Sequence, residues 1–172
     1  MSANDEIVNR VTASALVTFD LEEFYVPGER VMVDIKDQLY QGLVLREKDF
    51  RNFVREHDWS QYEGKFVAVT CSADAIIPNW AYMLVGVSLQ PVARKFIFGS
   101  LADLEIRIFL DQLSGVDWEK FNDVKVVVKG CSKVDVPPAV YVEAVAKLRP
   151  YAASIMFGEP CSTVPLYKKK SK

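Results

Sequence analysis

Apolar positions along the chain fall into short β-branched runs and longer amphipathic stretches that alternate. "KFVAVT" and "VKVVVK" are compact runs of the kind that fill a buried strand. Each is followed by a small polar loop, a proline and an apolar stretch of helical length. From Pro78 the segment "NWAYMLVGVSL" is apolar on most sides, and from Pro138 "AVYVEAVAKL" places Val142, Val145 and Leu148 on one stripe. Proline suits the first helical position, whose N–H has no intrahelical partner. Both helices are predicted to stop before Pro91 and Pro150. "KFIFG" and "SIMFG" then return as strands ended by glycine.

The two stretches, 65–99 and 124–158, match at an offset of 60 residues that falls to 59 after one gap. In that matching Cys71-Ser72 lies on Cys131-Ser132 and Pro78 on Pro138. Each copy reads as a βαβ unit with parallel strands and a right-handed crossover. The joining piece, 100–121, carries Leu101, Leu104, Ile108 and Leu113 near helical spacing. Upstream, "EKDFRNFVREH" is an amphipathic helix with Phe50, Phe53 and Val54 inward, "RVMVDI" and "LYQGLVL" read as strands, and "NDEIVNRVTASAL" as a helix with Ile7, Val8 and Val11 inward. The expected fold is a single α/β domain over 1–172, a largely parallel sheet with helices on its faces and a cysteine-containing C-terminal segment, 159–172.

At 172 residues and 50% apolar, the chain has enough material for one sizeable core or two small ones. A formal charge of −2 offers no general attraction to nucleic acid or anionic membrane. The terminal "YKKKSK" reads as a solvated tail, with a weak anion contact as the alternative. Neither a secretory signal nor a run long enough to cross a membrane is visible, so a cytoplasmic location is expected.

Three cysteines, each followed by serine, are the candidate chemistry. Ligands of parallel sheets bind outside the strand carboxyl ends. If one sheet holds all the strands, Cys71, Cys131 and Cys161 leave the same rim. Three thiolates there suit zinc with one open position, or iron or an iron–sulfur cluster. Asp74 is a candidate fourth ligand, with Asp135 and Glu159 behind it, and Ser72, Ser132 and Ser162 could bond neighbouring thiolates. An open zinc position would also serve a hydrolase or transferase. Two other readings stand beside this one. The thiols could be small buried hydrophobes in a non-catalytic interaction module, or Cys71 could be a nucleophile activated by a helix N-terminus, with Asp74 and Asn79 in its loop. The single histidine, His57, reads as a surface residue, and Trp59, Trp80 and Tyr82 as core or pocket lining.

"LREKDFRNFVREHDWS", "CSADAIIPNWAYML", "KGCS" and "GEPCSTVPLYKKK" resemble the bacterial family known as domain of unknown function 2480, found mostly in Bacteroidetes. That resemblance implies no assigned activity or catalytic residue. At most it implies a role in metal or sulfur handling, with a protein partner in iron–sulfur cluster assembly.

Overall fold

The computed structural model describes residues 16–130, 133–159 and 161–170. The proposed N-terminal helix therefore lies outside the described residues. The α/β class holds: helices pack on open sheets whose strands are largely parallel. The strands belong to two sheets, however, and the chain sorts into two compact units. The first unit comprises the chain up to Tyr25 and from Phe109 onward, and the second is Val26–Ile108. The second is thus inserted into the first.

The inserted unit contains β2 (Arg30–Asp34), α1 (Glu47–Glu56), β3 (Phe66–Thr70), α2 (Asn79–Leu89) and β4 (Lys95–Phe98). Its sheet runs β2-β3-β4, all parallel. Burial explains the near-continuous apolar run of β3: Val67 and Val69 pack against Ala81, Val85 and Leu89 of α2, while Phe66 and Ala68 pack against Leu104 and Ile108. Phe50 and Val54 of α1 are buried and Phe53 is half-buried, as the amphipathic pattern predicts. "LYQGLVL" is not a strand; only an isolated bridge joins Tyr40 to Val44, closed by a turn with positive φ at Gln41 and Gly42.

The enclosing unit contains β1 (Leu16–Asp20), β5 (Lys125–Lys129), α4 (Pro138–Leu148), β6 (Ser154–Glu159) and β7 (Ser162–Lys168). The connecting helix α3 (Leu101–Ser114) spans the boundary between the units, and its Phe109 and Leu113 belong to this second core. The sheet runs β1-β5-β6-β7, with β7 antiparallel to β6. β1 and β7 were not foreseen: each is short or largely exposed and lacks a buried apolar run. In α4 the buried stripe is Val140, Ala144 and Leu148, whereas Val142 is exposed.

Register reveals a duplication more exact than the lettering suggests. Phe66 pairs with Lys95 and Lys125 with Ser154, and β3 and β5 begin at Phe66 and Lys125, 59 residues apart. The same offset carries Phe50 onto Phe109, Val54 onto Leu113, Ala81 onto Val140 and Leu89 onto Leu148, every one buried. It also carries Asp58, whose carboxylate accepts the Ser60 amide, onto Asp117, which accepts the Glu119 amide. Pro78 matches Pro137, each the N-cap of its helix. No gap is needed. Cys71 therefore corresponds to Gly130, and Ser72 to Cys131: the coincidence of Cys-Ser letters had shifted the first half by one residue. In a strand such a slip exchanges the two faces, so burial decides against it.

Candidate functional site

Strand carboxyl ends carry the polar chemistry of both units. In the inserted unit β2 ends at Asp34, whose Oδ1 accepts the amides of Lys36 (3.1 Å) and Ser72 (3.0 Å) and whose Oδ2 accepts the Ser72 hydroxyl (2.5 Å). Desolvation pushes this carboxyl up, but the Ser72 and Lys36 hydrogen bonds and the Lys36 charge outweigh it and hold the pKa below the ordinary value. Ser72 thus serves the carboxylate rather than a thiolate. Half-buried Cys71 lies beside the core of this unit. Burial raises the Tyr82 phenol above its usual value, and the neighbouring Cys71 and Asp34 add to that shift.

In the enclosing unit β1 ends at Asp20, which caps the following turn through the Glu22 amide and pairs with Lys129 at 3.1 Å. Asp20 chiefly, then Glu159 and Glu22, hold the Lys129 ammonium above its ordinary pKa, so this lysine stays charged rather than acting as a base. Glu22 accepts the amides of Lys133 (2.8 Å) and Val134 (3.5 Å). Tyr141, equivalent to Tyr82, donates to the Gly130 carbonyl at 2.5 Å. A Cβ on Gly130 would sit 2.9 Å from the Leu21 Cβ, which explains glycine where the other unit has Cys71.

This geometry overturns the three-cysteine metal site and the metal-binding, cluster-assembly and zinc-enzyme functions built on it. Among the described residues no group of three or more His, Cys, Asp or Glu side chains could hold a metal ion. The shared rim was the premise, and it fails because β3, ahead of Cys71, and β5, ahead of Cys131, belong to different sheets. Cys161 is exposed in the hairpin between β6 and β7. Cys131 lies outside the described residues, as does Ser132. Asp74 and Asp135 are exposed in loops, and Glu159 is exposed at the end of β6, facing Lys129 electrostatically. The buried-thiol module also fails, since Cys71 is half-buried and Cys161 exposed.

His57 is half-buried rather than at the surface, in a nest of rings: Trp59 at 4.6 Å, Phe53 at 5.0 Å and Tyr62 at 5.8 Å between centroids. Its Nε2 meets the Tyr62 hydroxyl at 3.1 Å and the Gln61 amide at 3.2 Å. Trp59, Trp80 and Tyr82 all pack on the core, and Tyr82 also lines a recess.

The feature missed by sequence reasoning lies at the opposite strand ends. Lys125, Lys168, Lys169 and Lys170 border a recess of about 900 Å³ whose other walls are Ala153, Ser154, Met156, Pro165 and Tyr167. The sequence pattern reads the basic run as a solvated tail, but β7 takes in Tyr167 and Lys168, and Lys169 continues its pairing. Lys169 pairs with Asp123 at 2.6 Å, its amide donates to the Ala153 carbonyl at 2.8 Å, and Arg149 lies 3.7 Å from the centroid of the Tyr167 ring. Alternation in "STVPLYK" was the available signal, weakened by Pro165, which sits where the β6–β7 register shifts.

Among the described residues no helix is long and apolar enough to cross a membrane. No curated protein and no solved structure matches the chain. One family model does, over residues 5–169, and its description is "Protein of unknown function (DUF2480)". With nearly its whole length matched, the chain belongs to the DUF2480 family.

Proposed function

We propose that the protein binds an amphipathic anion, a carboxylate or phosphate joined to an apolar body, in the lysine-bordered recess of the enclosing unit. The observation that carries this reading is the convergence of four lysines on one apolar-walled space in a chain whose net charge is −2. Among the described ion pairs only Lys169 of the four is engaged, with Asp123. Like charges brought together repel one another, and a bound anion relieves that repulsion. The walls formed by Met156, Pro165 and Tyr167 supply the apolar contact, and about 900 Å³ lies within the range of small-molecule sites. The reading takes the setting to be cytosolic, which suits free thiols at Cys71 and Cys161.

Calorimetric titration with decanoate tests it. Wild type is expected to bind with an affinity that falls as salt rises, and the double variant Lys125→Glu/Lys168→Glu to bind at least roughly tenfold more weakly. Both lysines are exposed, so the fold survives the change. Equal binding by the two proteins would overturn the proposal.

A further inference from the structure

The duplicated units differ at one edge. In the enclosing unit the outer edge of β6 is covered by β7, and Leu166 of β7 lines a recess of about 360 Å³ together with Val128, Tyr141, Val145 and Phe157. The 59-residue offset carries those four residues onto Val69, Tyr82, Gly86 and Phe98 of the inserted unit. They line a recess of about 590 Å³ with no strand beside it among the described residues, where β4 is the last strand of its sheet. Phe98 is 67% exposed there, and Met83 and Val87 of α2, on the same recess, are 69% and 71% exposed. An edge strand next to an exposed apolar groove is a template for a further strand. The chain itself shows what such a groove accepts.

We infer that the β4 edge and the α2–β4 groove dock an extended apolar segment of a partner protein, running antiparallel to β4 and ending in acidic residues. Direction and apolar character follow from β7. The acidic end follows from charge. At the end of β7, basic Lys169 meets Asp123 and Arg149 covers Tyr167. The equivalents of Asp123 and Arg149 are Gly64 and Gln90, so a β7-like lysine tail finds neither anchor in the inserted unit. Instead Lys65, Arg94 and Lys95 stand at the corresponding start of β4, where the enclosing unit has Val124, Ala153 and Ser154. Glu29 offsets Lys65 at 2.9 Å, whereas Arg94 is held by the Pro27 carbonyl and the Phe66 ring, both neutral. Among the described ion pairs no carboxylate offsets Arg94, and an antiparallel partner brings its acidic C-terminal end to that guanidinium.

Two labelled probe peptides test this on the full chain: Ser-Thr-Val-Thr-Leu-Tyr followed by three glutamates, or by three lysines. Fluorescence anisotropy is expected to show the acidic peptide binding at least roughly tenfold more tightly than the basic one. Hydrogen exchange should slow at Ile97 and Phe98, and Phe98→Glu should abolish both effects. No binding of the acidic peptide at about 1 mM, or equal binding of the two, would overturn the inference. So would protection confined to β6 and β7. A concentration-dependent dimer abolished by Phe98→Glu would assign the edge to a second copy and also overturn it.

Discussion

Removing the Ser72 hydroxyl isolates the chemistry at the end of β2. In Ser72→Ala the Asp34 carboxylate keeps the backbone amides of Lys36 and Ser72 but loses its shortest bond, the 2.5 Å contact to Oγ. Hydrogen bonds to a charged group contribute about 1.5–3 kcal/mol, and partial exposure of this carboxylate places the expected loss near the lower bound, about 1.5 kcal/mol. Asp34→Ala removes all three bonds and the turn cap, for an expected loss of about 3 kcal/mol. The sign of the pH dependence is fixed by the depressed folded-state pKa. The contribution is fully present above the unfolded value of 3.8 and disappears as pH falls through the lower folded value. Urea titrations followed by Trp59 and Trp80 fluorescence report this unit, although a mutant in which Trp118 is replaced by Phe is needed to silence the enclosing one. The gap between wild type and Ser72→Ala should be largest near neutrality and narrow as Asp34 becomes protonated in strong acid. A gap below about 0.5 kcal/mol at pH 7, or one that does not change with acid, would refute the reasoning.

Three further outcomes follow from the duplication and the thiols. Gly130→Cys, which copies the residue of the equivalent position, forces a Cβ to within 2.9 Å of Leu21 and should destabilise by about 1–3 kcal/mol in thermal melts; a neutral result would contradict the close approach of Leu21 to Gly130. Phe50→Ala and Phe109→Ala, each removing a fully buried ring from an equivalent place, should each lower stability by about 3–5 kcal/mol; a change below about 1 kcal/mol at either position would break the equivalence. Cys161, exposed in a hairpin, should react with a thiol reagent faster than half-buried Cys71, as mass spectrometry of partially labelled protein would show, and the reverse order would contradict these placements.

Much of the layout was legible because burial writes itself into a sequence. The βαβ halves, α1 and the connecting helix all announce themselves through their apolar patterns, and Phe50, Leu113 and Leu148 are buried as those patterns require. Two kinds of information were hidden. Partnering was one: β1 and β2 each supply the outer strand of a different sheet, and nothing local in "LVTFD" or "RVMVD" says which strand it joins. Register was the other, since the repeated Cys-Ser pair competed with the burial pattern that gives Gly130 as the partner of Cys71. The metal site fell with those two errors, because it required all the strands to share one sheet. The lysine recess was missed for a third reason: Lys125 and Lys168 to Lys170 come together only through the β5–β6–β7 pairing.

The most direct test of the functional account is a map of amide chemical-shift changes as decanoate is added to the ¹⁵N-labelled protein. Binding in the lysine-bordered recess predicts saturable changes centred on Lys125, Ser154, Met156 and Tyr167, with Cys71, Asp34 and the rest of the inserted unit unmoved. Changes centred elsewhere, or none at saturating ligand, would contradict it.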